Sequence, residues 1–332
     1  MTLQIQHRGL YFSTAQIQAA KEQRADNPAL QMAWQWLQAV PGDLLREEKP
    51  KQAGDAPLQI HKPQLRGLAA TMEAAFRFCF DGDEAAGLQA VEALYADRGL
   101  YDAQTRLETL MHILASAQIY EMLHQHSDFG RIRAAWHDSF ADFSGSLLNT
   151  ENPTPLEALW LLTLRIVRGI VLEDEAGFNT GVADFRRAVD TQIHPEGYLR
   201  FATDEQDGPT FERHVLGAAA LSLAAEAATH AGTALWTYEN RDVGVNTAAT
   251  YLVYYYFYPD KWRWSDHLDE DETARIFRLY GAFIEMVTYH ANPRGVELLL
   301  ELQRPFFSVA CGGFTTLSHG TTQKRKKRRW FS

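Results

Sequence analysis

Val215-Leu-Gly-Ala-Ala-Ala-Leu-Ser-Leu-Ala-Ala-Glu-Ala-Ala228 decides the fold. The stretch is rich in strong helix formers and almost wholly small or apolar, so it reads as a helix buried on most sides. Before it stands a polar loop, His194-Pro-Glu-Gly-Tyr-Leu-Arg-Phe-Ala-Thr-Asp-Glu-Gln-Asp-Gly-Pro-Thr-Phe-Glu-Arg-His214, and after it Leu235-Trp-Thr-Tyr-Glu-Asn240. The loop gathers most of the chemically useful groups of the chain, and the buried helix holds it in place.

Working outward, the helical period recurs on both sides. Ser13-Thr-Ala-Gln16 has the spacing of a capping box and starts a helix ending near Pro28. A second carries Trp34, Trp36 and Leu37, and a polar segment from Arg46 to Pro57 reads as a surface loop. Leu68, Met72, Ala75, Phe76, Cys79 and Phe80 share one face of a third. Helices follow over 84–95, from a cap at Asp102 through Leu123, and over 129–148. Thr154-Pro-Leu-Glu157 restarts the chain with an N-cap threonine, a proline at the first helical position and a glutamate at the third. That helix runs to Leu172, its amphipathic successor over 175–191, and further helices over 211–231, 244–258, 270–290 and 294–302. Tyr251-Leu-Val-Tyr-Tyr-Tyr-Phe-Tyr258 has strand-like propensity but falls where a helix is due. No alternation lasts long enough to build a sheet. About a dozen helices, uniformly apolar ones paired with amphipathic ones, predict an all-α chain. Inner and outer helices closing on themselves make an α/α toroid, an incomplete barrel whose connecting loops ring one open end. One domain over 1–320 and a basic, disordered tail over 321–332 are expected.

Hydrophobic residues make up 46% and charged residues 22%, which excludes disordered and fibrous classes. The net charge is −10 although Lys324-Arg-Lys-Lys-Arg-Arg329 carries six positive charges, so the rest of the chain carries −16. An acidic body argues against nucleic acid as a partner. Cys79 and Cys311 form no disulfide framework and no zinc signature, and no histidine spacing suits a metal, so neither metal nor cofactor is expected. No apolar run approaches the ~20 residues of a membrane span. The N-terminus lacks a signal-peptide core, which points to the cytoplasm unless a leader has been removed.

Gly169-Ile-Val-Leu-Glu-Asp-Glu-Ala-Gly-Phe178, Phe185-Arg-Arg-Ala-Val with Pro195-Glu-Gly-Tyr-Leu199, Leu221 to Ala228 with Gly232-Thr-Ala-Leu-Trp-Thr-Tyr238, Lys261-Trp-Arg-Trp264, Arg304-Pro-Phe-Phe and Gly312-Gly-Phe-Thr-Thr-Leu317 together resemble the alginate lyase family of polysaccharide lyases. The resemblance covers roughly half the chain, from about Trp160 onward, and rests on the order and spacing of loose motifs. It implies the toroid fold, an acidic polysaccharide as partner, a periplasmic or secreted location, and cleavage of a uronic-acid polymer by β-elimination. That reaction needs a group that neutralises the C5 carboxylate, a base for the adjacent proton, and an acid for the leaving oxygen. Where the family carries Asn-Asn-His-x-Tyr-Trp, this chain has Pro155-Leu-Glu-Ala-Leu-Trp160. Its Arg and Tyr positions fall on Gly208 and Val215.

The substitutes at hand are Arg213 and His214, one to grip a uronate and the other to move a proton near neutrality. Both also fit the exposed first turn of a helix beginning near Thr210. Glu157 occupies the catalytic histidine's place, although capping explains it as well. Tyr238 suits protonation of the leaving oxygen or a sugar subsite. Tyr198, Arg200, Glu212 and Trp236 complete the expected substrate contacts, with Trp236 equally a core residue. Trp262, Trp264 and the tyrosines at 254–256 read either as a sugar-stacking wall or as core. The carboxylates Asp204, Glu205, Asp207 and Glu212 raise the alternative of a toroid glycoside hydrolase. The lost family positions raise another, a sugar-binding toroid without turnover.

Overall fold

A computed structural model of the chain describes residues 4, 5, 7, 9–38, 63–98, 105–265, 268–291, 293 and 295–321. In chain order its helices are α1 (Thr14–Gln23), α2 (Pro28–Gln38), α3 (Pro63–Asp81), α4 (Glu84–Asp97), α5 (Arg106–Leu123), α6 (Arg133–Leu148), α7 (Pro155–Val171), α8 (Glu175–Gln192), α9 (Thr210–His230), α10 (Val245–Phe257), α11 (Glu270–Tyr280), α12 (Phe283–Ala291), α13 (Val296–Gln303) and α14 (Thr315–His319). α3, α5, α7 and α9 pack side by side in that order, with α4 against α3 and α5, α6 and α8 against α7, and α10, α11 and α12 against α9. Helices α5 and α9 are buried along almost their whole length, whereas α8 buries only one face. The chain is all-α, an α/α toroid of inner and outer helices. Among the described residues no helix is long and apolar enough to cross a membrane.

Local sequence fixes where these helices start. Ser13 with Gln16, and Thr154 with Glu157, form reciprocal capping boxes that satisfy otherwise orphaned N–H groups. α5 is capped by Thr105 with Glu108; the cap expected at Asp102 lies outside the described residues, as do the polar segment 46–57 and the basic tail. The aromatic run from Tyr251 is helical to Phe257. The single helix expected over 270–290 is instead two. Gly281 N–H closes α11 on Phe277 O, and Ile284 N–H restarts the chain on Gly281 O. The break brings Phe283, Ile284, Met286 and Val287 into the core. A short antiparallel hairpin, β1 (Glu239–Asn240) and β2 (Val243–Gly244), was also not foreseen. Its turn residues Arg241 and Asp242 take φ of 54° and 62°, as a tight hairpin turn requires.

The inner helices α5, α7 and α9 point the same way. Their first turns meet around one cavity lined by Leu107, Thr154, Leu156, Pro209 and Leu216, and Arg106 bonds Glu157 across α5 and α7 at 3.1 Å. This is the open end. The opposite end is closed by the N-terminal arm, where Gln4 N–H donates to Ala231 O beyond α9 and His7 meets Glu121 of α5 and Glu173 beyond α7.

Candidate functional site

Two cavities lie at the open end, one of about 360 Å³ between the first turns of α5, α7 and α9, the other of about 570 Å³ between α9 and α11. Pro209 and Glu212 line both. The larger is acidic, with Glu205, Glu212, Asp269 and Glu272 in its wall. Arg275 partly neutralises it, donating to Glu272 at 2.6 and 2.7 Å and lying 3.7 Å from Glu212.

Arg213 and His214 begin α9 here, and both side chains are occupied or covered. Arg213 is buried, and its guanidinium donates to Asp204 O at 2.6 Å and to Phe201 O, with Asp207 at 3.5 Å. It ties the 200–207 loop to the helix. His214 is 1% exposed. Its Nδ1 donates to Thr210 O at 2.9 Å, while Nε2 is buried with no partner. Trp262 stands edge-on to its ring at 4.9 Å and Trp264 stacks on it at 5.4 Å. Burial pushes the imidazole down to about 4, so it is neutral at physiological pH and roofed by indole.

The other expected residues separate. Glu157 accepts from the Thr154 N–H and from Arg106. Trp236 is buried and donates to Glu226 at 2.7 Å near the far end of α9. The Tyr238 hydroxyl donates to Asp190 of α8 at 3.0 Å, beside Asn240. Arg200 is exposed, in the loop that Arg213 ties down. Glu212, Arg213, His214, Glu157 and Tyr198 thus lie at the open end, with Arg213 and Glu157 held by other contacts there, whereas the polar atoms of Trp236 and Tyr238 serve contacts elsewhere.

Tyr198 sits in a cluster that the sequence reading missed in part. An antiparallel bridge between Ile193 and Leu199, with His194 N–H donating to Tyr198 O at 2.8 Å, closes the 193–199 loop. Gly197, at φ +103°, comes so near α10 that a Cβ would stand 3.1 Å from the Tyr251 side chain, so glycine seats this loop. Gly217 does the same below, where a Cβ would meet Leu199 at 2.5 Å. The His194 ring stacks on Tyr198 at 4.2 Å, and Tyr198 meets Trp264 at 4.8 Å. Arg263, exposed, lies 4.4 Å over Trp264 and 5.0 Å from the Tyr198 ring. Its guanidinium holds the Glu196 carboxylate at 2.8 Å, whose other oxygen is 3.9 Å from His194 Nδ1. His194 Nδ1 accepts the Glu196 N–H at 3.2 Å, which leaves the ring proton on Nε2. The signal for Arg263 was present in Lys261-Trp-Arg-Trp264: Trp262 is buried, so the residue after it faces out.

Residues 158–262 match the alginate lyase family model. Over those residues, about a third of its length, the chain is similar to the alginate lyase family. Its fold is similar to solved structures of that family. A variant of alginate lyase A1-III complexed with tetrasaccharide aligns with a TM-score of 0.71 at 15% identity, covering 94% of this chain and 95% of that one. Alginate lyase A1-III from Sphingomonas species A1 aligns at 0.67 and 15% identity over 94% and 97%, and an alginate lyase from Bacteroides ovatus at 0.64 and 9% over 94% and 98%. None of the curated proteins matches the chain in sequence. The family segment contributes most of α7, all of α8 to α10, and ends on Trp262, and so builds one side of the open end. Among the described residues no cluster of His, Cys, Asp and Glu could hold a metal ion.

Proposed function

We propose that this chain takes a uronate-containing polysaccharide at the open end of the toroid and cleaves it by β-elimination. One observation carries the reading: a carboxylate, that of Glu196, already lies between Arg263 and His194 beside the faces of Tyr198 and Trp264. A uronate needs the same surroundings, a guanidinium for its carboxylate and an aromatic face for its ring.

In this reading Arg263 displaces Glu196 in favour of the sugar carboxylate and draws charge from it, which makes the C5 proton acidic. Tyr198 and His194 exchange protons with the substrate. One takes the C5 proton as the C4–C5 double bond forms and the C4–O4 bond breaks, and the other supplies a proton to the departing oxygen. Arg213 and His214 act beneath, the first holding the loop and the second bearing Trp264. Action on a polymer outside the cytoplasm is part of the same proposal.

Incubation with alginate, glucuronan and related polyuronates, followed by ultraviolet absorbance of the unsaturated product, tests the reading. Absorbance should rise with at least one polymer and stay flat for Arg263→Ala; a flat trace with every polyuronate overturns lyase activity. Glu205 and Glu212, two of the four carboxylates of the 204–212 loop, line the larger cavity together with Asp269 and Glu272 and favour a second reading, a glycoside hydrolase. It predicts reducing ends without new absorbance.

A further inference from the structure

The rings at the open end do not stop at Trp264. Tyr251 of α10 lies 6.2 Å from Tyr198 and 6.3 Å from Trp264. Tyr255 follows at 5.1 Å, its hydroxyl bonded to that of Tyr251 at 3.1 Å. Tyr254 lies 5.0 Å from Tyr255, and Tyr258 5.1 Å from Tyr254. His194, Tyr198, Trp264, Tyr251, Tyr255, Tyr254 and Tyr258 thus form one unbroken path of rings.

Exposure rises along this path. Tyr254 and Tyr258 are 52% and 53% exposed, the most exposed aromatic side chains among the described residues, and they adjoin each other. Folding gains little from leaving two large rings in water, and adjacent exposed aromatics mark a contact surface. The chemistry of the path restricts the partner. Every member carries a ring edge with a polar atom, no aliphatic side chain interrupts the sequence of ring contacts, and Arg263 and Lys261 flank it. The path is continuous with the rings around Arg263 and His194, so a sugar chain held there by one uronate runs on over these rings. Flat rings bearing hydroxyl groups suit the alternating C–H faces and hydroxyl edges of pyranoses.

We propose that Tyr251, Tyr255, Tyr254 and Tyr258 form a track that carries the sugar residues of a polysaccharide beyond the one held at Arg263. This rests on the reading of the open end as a uronate site, and it adds that the ligand is an extended chain spanning several sugars. Stacking is indifferent to charge, so the track itself accepts neutral and acidic pyranoses alike.

Calorimetric titration with uronate oligosaccharides of four and eight residues, and with a neutral β-1,4-linked oligosaccharide of eight, tests the proposal in wild type and in the double variant Tyr254→Ala/Tyr258→Ala. Both tyrosines are exposed, so the variant keeps its fold, and its melting temperature verifies this. Wild type should bind the uronate octamer about tenfold more tightly than the tetramer. The double variant should bind both alike, with the tetramer unchanged, a loss of about threefold per ring. An unchanged octamer-to-tetramer ratio in the double variant overturns the track. Binding of the neutral octamer alone, lost in the double variant, upholds the track and overturns the uronate reading instead. Absence of binding to any oligosaccharide, with the double variant altered only in self-association, overturns the track in favour of contact between copies.

Discussion

The two ends of α9 both bury an ionisable group, and they treat it in opposite ways. Near the C-terminal end Glu226 is wholly inaccessible and accepts from His230 Nε2 at 3.0 Å, His290 Nε2 at 2.6 Å, His319 Nε2 at 3.0 Å and Trp236 Nε1 at 2.7 Å. Burial alone would raise its pKa, but the histidine hydrogen bonds hold it well below the usual carboxylate range. Four donors from α9, α12, α14 and the segment before the hairpin make it a structural pin. At the N-terminal end His214 is equally buried and has one ring nitrogen without a partner. The difference teaches where to look for function. A fully satisfied buried charge ties elements together, whereas the neutral His214 ring, with one nitrogen unpartnered, lies beneath the proposed site.

The first way to break this contrast is Glu226→Ala. Removing the centre of the cluster strands four donors and should cost about 3–5 kcal/mol in denaturant unfolding. A loss below ~1 kcal/mol would mean the pin bears no load. His214 gives the next effect, about 3 kcal/mol, through pH. Its folded pKa of about 4 lies below the ordinary 6.5, so the unfolded chain binds the proton first. Stability is full above pH 6.5 and declines as pH falls towards 4. His124, also pushed down to about 4 by burial, adds to the same slope, so the quantity to compare is the difference between wild type and His214→Leu. That variant should be flatter between pH 6.5 and 4.5, a window in which the Glu226 contribution is still intact because its loss begins below 4.5.

Glu73 sharpens the contrast from the acid side. It is buried, its Oε1 lacks a partner, and burial raises it to about 7. A carboxyl whose folded pKa is raised withdraws stability as pH climbs from 4.5 to 7. Glu73→Gln should therefore gain roughly 2 kcal/mol at pH 8 and nothing at pH 4.5, read from melting curves at the two pH values. The smallest effect on stability belongs to Arg263→Ala. Its exposed ion pair should contribute no more than ~0.5 kcal/mol, whatever it contributes to binding.

Much of the fold was legible because its determinants are local. The capping boxes at Ser13 and Thr154 need only four consecutive residues, and the apolar run from Val215 to Ala228 reads as an interior helix in a chain with no alternation long enough to build a sheet. The break at Gly281 was not legible, since a glycine within an apolar helical pattern reads as continuous until the core it serves is known. The hairpin at Arg241 and Asp242 was hidden for a related reason, because non-glycine residues rarely adopt positive φ. Of the proposed site, Tyr198 and the placing of the 194–214 loop before the buried helix were visible. The positions of Arg213 and His214 were visible as well, but not their burial, which depends on Trp262 and Trp264 folding back some fifty residues later. The same return of the chain creates the pairing of Arg263 with Glu196 and His194, which no spacing in the sequence announces.

The central claim is that Arg263, now held by Glu196, is the carboxylate receptor of the open end. Calorimetric titration of a saturated tetra-uronate into wild type, Arg263→Ala and Glu196→Gln at low ionic strength tests it most directly. Affinity should fall at least about tenfold in Arg263→Ala and rise in Glu196→Gln, with melting temperatures unchanged. Equal affinity in all three proteins would contradict the claim.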